Sequence, residues 1–122
     1  MTLTATRQAM AAAIVPLVAA DVTVSADIPD SVTPPCIYVA WGIPWLIPRT
    51  HCIGTAAIEV VLIANRIEAG GSYETLETLL YQVMQVQGQD FQFVSATSPY
   101  PMQIGGNAYL AASVSFLSEV EG

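Results

Sequence analysis

The side chains best suited to metal binding or thiol chemistry are one histidine, His51, and two cysteines, Cys36 and Cys52. Two thiolates and an imidazole can hold zinc, but the C-x-x-C and H-x-x-x-H spacings that bring such ligands together are absent. A Cys–His nucleophile pair fares no better. His51 and Cys52 are adjacent, so on a strand they point to opposite faces. His51, close to Arg49 at the start of a strand, reads as a solvated edge residue. Glu74 and Glu77 stand three residues apart, which on a helix brings two carboxylates onto neighbouring positions. Their place in a first helical turn accounts for them without catalysis, because the helix dipole favours negative charge there. The pairs Gly70-Gly71 and Gly105-Gly106 fit no phosphate-binding loop, since neither G-x-x-x-x-G-K-S/T nor G-x-G-x-x-G occurs. These residues assemble no recognisable catalytic machinery. The sequence therefore predicts a non-enzymatic protein with no catalytic residue, metal or cofactor.

The cysteines bear on compartment as well as chemistry. If strands on either side of Pro44 form a hairpin centred there, Cys36 and Cys52 face each other across it. A disulfide and two small buried thiols are both compatible with that arrangement. The first 20 residues have an apolar middle, but Arg7 is the one basic residue before it, and no cleavage site follows. Without a secretion signal, buried thiols are the favoured reading.

The elements that must carry these residues follow from length and pattern. The chain has 122 residues, the size of one domain, 1–122. Such a chain buries enough surface to fold without a staple. Residues 2–20 read as an alanine-rich helix capped by Thr2 or Thr4, with Leu3, Met10, Ile14 and Leu17 at helical spacing and Pro16 as a kink or stop. Residues 21–26 alternate as a short strand, and the prolines of 28–35 mark an irregular linker. Residues 36–41 (CIYVAW) read as a strand, and 42–48 as a loop or hairpin tip. Residues 51–65 are the strongest strand, apolar on nearly both faces, as expected of a central one.

Residues 72–87 are the clearest helix. Ser72 caps it, Gly88 suits its end, and Tyr73, Leu76, Leu80, Val83 and Gln87 mark one face, widened by Leu79 and Met84. Residues 91–97 form a strand, 98–106 a second irregular loop, and 107–120 a long final strand. In that strand Leu110, Ala112, Val114 and Phe116 share one face, and Tyr109, Ser113 and Ser115 the other. The expected fold is α+β: a mainly antiparallel sheet with two helices packed on one face.

Composition then narrows the partners. Apolar residues make up 53% and charged residues 11%, against about 25% charged in an ordinary soluble domain. A small domain has too much surface to hide that many apolar groups alone, so part of the excess belongs against other polypeptides. A membrane is the competing explanation. The two longest uncharged runs, 31–48 and 91–118, are broken by Pro34, Pro35, Pro44, Pro48, Pro99, Pro101 and Gly105-Gly106, so neither reads as a spanning helix. Net charge is −7, with three arginines and no lysine. A nucleic-acid grip needs a basic face and is not expected. An acidic wall still lets DNA slide past without sticking.

The run W-G-I-P-W-L-I-P, residues 41–48, is the most informative local feature. Prolines keep it irregular, and Trp45, Leu46 and Ile47 at a hairpin tip would be costly in water. Aromatic and aliphatic groups on a protruding loop are typical anchors for a partner, although a core loop could absorb Trp41. Arg49 follows this run, and Tyr100 and Met102 in the second loop carry a weaker version of the same argument. These six positions, Trp45, Leu46, Ile47, Arg49, Tyr100 and Met102, are the candidate interface.

With the segment P-D-S-V-T-P-P-C-I-Y-V at 29–39 in place, the chain resembles a tail terminator protein of a long-tailed (siphophage-type) bacteriophage. The resemblance covers nearly the whole chain. It rests on the short N-terminal helix, a V-x-V strand and the proline-rich entry into a strand. A long apolar strand ending at Asn65-Arg66 follows, then a helix of the E-T-L-E-T-L-L type and a terminal strand. The resemblance implies a tail-terminator-like fold and a six-membered homo-oligomeric ring on the head-proximal end of the tail tube, in the virion tail or neck after assembly in the host cytoplasm. Its implied partners are tail tube protein and the head–tail connector or stopper protein. Genomic DNA would pass through the lumen without sequence-specific binding, and no membrane or cofactor would be involved. Three other readings make different predictions. Another phage neck or connector component would not cap tube ends. A cellular small-molecule-binding module would be a monomer with a pocket under the sheet. An enzyme with Cys36 or Cys52 as nucleophile would be alkylated readily at neutral pH.

Overall fold

Helical periodicity and proline together fix the first element. The computed structural model describes residues 3–18, 22–26, 35–50, 53–66, 72–86, 91–104 and 106–121, with side chains at 5–18, 22–26, 35–40, 54–64, 73–86, 91–103 and 106–118. Helix α1 spans Leu3–Ile14 and gives way to a 3₁₀ turn, Val15–Leu17, that holds Pro16. The helix expected over 2–20 is thus shorter, because proline has no N–H for the ladder and its ring collides with the preceding turn. Thr6, Met10 and Ile14, one turn apart, are fully buried, giving α1 a single inward stripe.

A short strand β1 (Thr23–Ser25) pairs in parallel with the start of β2 (Cys36–Thr50), Thr23 opposite Cys36 and Ser25 opposite Tyr38. Most of the linker expected at 28–35 lies outside the described residues. Strand β2 then runs beside β3 (Ile53–Arg66), and their register corrects the hairpin expected at Pro44. The ladder continues past both prolines to Thr50 opposite Ile53. Between Trp41↔Ile58 and Leu46↔Ala56 the strand bulges, which absorbs Gly42 to Trp45. Beyond Tyr38, β2 has no second neighbour among the described strands. On such an edge a missing N–H costs no ladder bond wherever it would face outward or fall in a bulge, so an edge strand admits prolines that would break a central one. Cys36 consequently faces Ile63 rather than Cys52.

Strand β3 is central as expected, with β2 on one side and β6 on the other. Residues Val60 to Ala64 are all buried in succession. Helix α2 (Ser72–Met84) buries Leu76, Leu79 and Val83. Tyr73, expected on that inward face, is instead exposed. Leu80 and Met84 are half-buried, and Gln87 and Gly88 lie outside the described residues.

Strand β4 (Gln92–Ala96) and strand β5 (Tyr100–Ile104) both pair with one side of β6 (Asn107–Glu121). The irregular loop expected at 98–106 is therefore corrected: most of it is a strand and a tight turn. Ile104 opposes Asn107, so two residues close the β5–β6 hairpin, and Gly106 takes φ +83°. That left-handed conformation is cheap for glycine and matches the twist of a two-residue hairpin. The closing pair of such a hairpin is hydrogen-bonded, and bonding then alternates along the ladder. Pro101, opposite Leu110, falls on a non-bonded pair and forfeits nothing. Nothing lies within 4 Å of a Cβ placed on Gly106, so substitution there meets backbone strain alone. Gly106→Ala is expected to cost about 1–2 kcal/mol, and Gly106→Asn less, because asparagine tolerates this region. Urea midpoints of the two variants check the order.

The result is a small α+β domain with an open, mixed six-stranded sheet in the order β1-β2-β3-β6-β4, with β5 beside β6. One face carries the main core. Met10 and Ile14 from α1 and Leu76, Leu79 and Val83 from α2 pack there with Ile37, Val39, Ile58, Val60, Leu62, Val114 and Phe116. Both helices thus lie on that face, and the alternation expected along β6 holds. The other face has a smaller cluster of Cys36, Tyr38, Val61, Ile63, Tyr109 and Ala111, with Tyr100 and Met102 against it.

Candidate functional site

The candidate interface residues separate into two groups. Trp45, Leu46, Ile47 and Arg49 lie on the second half of β2, where Leu46 pairs with Ala56 and Ile47 with Thr55. Their side chains lie outside the described residues, as do His51 and Cys52. The register sets this end of the sheet level with the end of β6, with Ile53 opposite Glu121. Tyr100 and Met102 sit on β5, half-buried, and turn back onto their own sheet. The Tyr100 hydroxyl and Ser113 Oγ share a 2.8 Å hydrogen bond, and the Tyr38 hydroxyl donates to Met102 Sδ at 3.9 Å. The small side chain of Ala111, between β3 and β5 in the ladder, leaves room for this closure.

The thiol chemistry considered above can be judged at Cys36. Its side chain is buried and not in a disulfide. Burial in an apolar setting pushes its pKa up to about 11. At neutral pH the group is a thiol and not a thiolate, which makes it a poor nucleophile. Tyr38 is raised for the same reason, burial, with smaller contributions from Tyr100, Glu59 and Cys36. Among the described residues no group of three or more His, Cys, Asp or Glu side chains could hold a metal ion, and no helix is long and apolar enough to cross a membrane.

A cleft that the residue spacing did not predict lies between α2 and the outer edge of the sheet. It has a volume of about 260 Å³ and is lined by Tyr73, Leu76, Glu77 and Leu80 of α2, Ala96 of β4, Thr97 and Pro99 of the β4–β5 connection, and Ala112 of β6. The connection is held by two bonds to one residue. Thr97 N–H donates to the Ser113 carbonyl at 2.8 Å, and Ser113 N–H donates to Thr97 Oγ1 at 3.0 Å. Thr97 thereby bridges the gap where β4 ends before β5 begins. Among the described residues Glu77 is the one charged group in the lining. Tyr73, beside it, is 63% exposed, and Tyr81 further along α2 is 66% exposed. The helical spacing of Tyr73 and Leu80 was the available signal. It read as core because nothing in the sequence tells how far the sheet extends beneath the helix.

No protein-family model and no curated protein matches this chain.

Proposed function

We propose that this chain is a structural ring subunit, the tail terminator of a long-tailed bacteriophage, which caps the head-proximal end of the tail tube and joins it to the connector. The carrying observation is apolar surface that the fold leaves outside. Val15, Tyr73, Tyr81 and Val94 are each more than half exposed, in a chain with 53% apolar and 11% charged residues. The element order supports the same reading. A short N-terminal helix, a small strand, a long apolar strand through Arg66, a helix containing E-T-L-E-T-L-L and a long last strand follow the pattern on which the resemblance rests. A net charge of −7 suits a wall past which DNA slides. Open edges at both sides of the sheet leave room for head-to-tail neighbours that close into a ring.

Native mass of the purified chain, alone and with tail tube protein, tests the reading. The expected result is a closed multimer of the 12.9 kDa chain that binds tube ends and stops their growth. A persistent monomer indifferent to tubes overturns it. Within this reading Trp45→Ala is expected to weaken assembly far more than folding. Size-exclusion profile and thermal melt, read together, check that difference, and equal loss of both counts against Trp45 as an anchor.

A further inference from the structure

Tyr73, Glu77 and Tyr81 stand four residues apart on α2, one helical turn each, so they form a single row along its surface. All three are exposed. Exposed rings scattered singly need no explanation. Here a carboxylate stands between two of them, and it makes no ion pair or hydrogen bond among the described residues. The row runs into the cleft described above. Tyr73 and Glu77 belong to its lining together with the apolar Leu80, and Ala96 and Pro99 line it from the sheet side.

Two separate features select a cation at this place. A carboxylate attracts one directly, and the faces of aromatic rings attract one through their quadrupoles. No arginine lines the cleft, and the chain carries −7 with no lysine, so an anionic ligand is repelled. Among cations a planar guanidinium fits best. It pairs with a carboxylate through a fork of N–H donors and stacks on a ring, whereas an ammonium is a compact, strongly hydrated charge. Cleft size then separates a free ligand from a side chain. About 260 Å³ is less than the roughly 300–1,000 Å³ typical of small-molecule sites, and suits one apolar side chain beside the cation. Tyrosine and arginine are also enriched where proteins meet. A second copy is a poor source of the cation, because two chains at −7 repel each other.

We propose that the Tyr73–Glu77–Tyr81 row and the cleft beside it form a docking site for a different protein, one that presents an arginine next to an apolar side chain. The guanidinium pairs with Glu77 and stacks on the tyrosines. The apolar neighbour enters the cleft against Leu80, Ala96 and Pro99. The site stands on α2 and the cleft alone, and does not depend on the ring reading.

Short blocked peptides test it, with amide shifts of the isotope-labelled full chain followed by NMR. The probe holds an arginine between two leucines, with a serine at each end. Its controls carry citrulline, the neutral isostere, or lysine in place of arginine. Saturable shifts confined to α2 and residues 96–99 are expected, about tenfold weaker with citrulline and about threefold weaker with lysine. Glu77→Gln is expected to weaken the arginine peptide about three- to fivefold and to leave the citrulline peptide unchanged. Tyr81→Ala is expected to weaken it about threefold. Thermal melts verify that both variants fold. Equal binding of the arginine and citrulline peptides, or no shift along the cleft at millimolar peptide, overturns the proposal. Benzylguanidine bound as tightly as the peptide would make the cleft a small-molecule site and overturn docking. A multimer of the chain alone that dissociates on Glu77→Gln would give the site to a second copy and overturn the assignment to a different protein.

Discussion

Replacing Phe116 by alanine is expected to remove about 3–5 kcal/mol of folding stability. Phe116 is fully buried on the helix-covered face of β6. In the ladder it stands opposite Ile58 on one side and Phe93 on the other. Its ring meets that of Phe93 edge to face, with centroids 5.8 Å apart and planes at 76°, a geometry that contributes beyond buried area. Truncation therefore leaves a cavity between two strands and the helices above, and also ends an aromatic contact. Against a total stability of about 5–15 kcal/mol for a domain, this single change threatens the fold. Phe93, half-buried on the edge strand, is expected to cost less when cut to alanine. Denaturant titration should give a lower midpoint for Phe116→Ala than for Phe93→Ala, with little change in slope. The reverse order would deny Phe116 its central place.

Alkali is expected to destabilise the fold between about pH 9 and pH 11. The folded Cys36 thiol holds its proton up to about 11, against an ordinary value of 9.0. In the unfolded chain the same thiol ionises near its ordinary value. Across that interval the unfolded state binds fewer protons, so stability falls as pH rises. The contribution is intact below pH 9 and is lost on passing through the folded value. A two-unit displacement corresponds to roughly 2–3 kcal/mol. Tyr38, raised from 10.0 by burial first, acts in the same direction. Cys36→Ala removes the thiol and should flatten the decline, whatever it costs at neutral pH. The comparison of midpoints at pH 8 and pH 10.5 for parent and variant is the test. Parallel declines would show that Cys36 does not titrate late.

Much of this fold was legible in the sequence, and the two stretches that were not share one physical cause. Helix α2 and strand β6 follow from periodicity, β3 from a long run apolar on nearly both faces, and α1 from alanine content with Pro16 as its stop. The two misread stretches are both rich in proline. Pro44 and Pro48 read as breakers, yet they lie on the part of β2 without an outer neighbour among the described strands, where a bulge or an outward-facing missing donor is harmless. Pro99, Pro101 and Gly105-Gly106 read as one loop. The glycine pair is better understood as the signature of a two-residue hairpin, and Pro101 as an outward-facing position of an edge strand. Local propensity could not decide either case, because both depend on which side of a strand is occupied. The candidate site was legible only in part. Tyr100 and Met102 were singled out, but strand alternation turns them toward Tyr38 and Ser113. The cleft at Glu77 arises where α2 overhangs a gap between β4 and β5, and no spacing rule encodes that overhang.

The position of β6 has a consequence for how the chain acquires its structure. β2 and β3 are neighbours in sequence and need little chain to meet, but Leu62 of β3 pairs with Ala112, about fifty residues further along the chain. Without β6, β3 has one edge unpaired and β4 and β5 have no partner among the described strands. β6 is thus the strand that ties the two halves of the sheet together, through contacts of long sequence separation that fold slowly as a class.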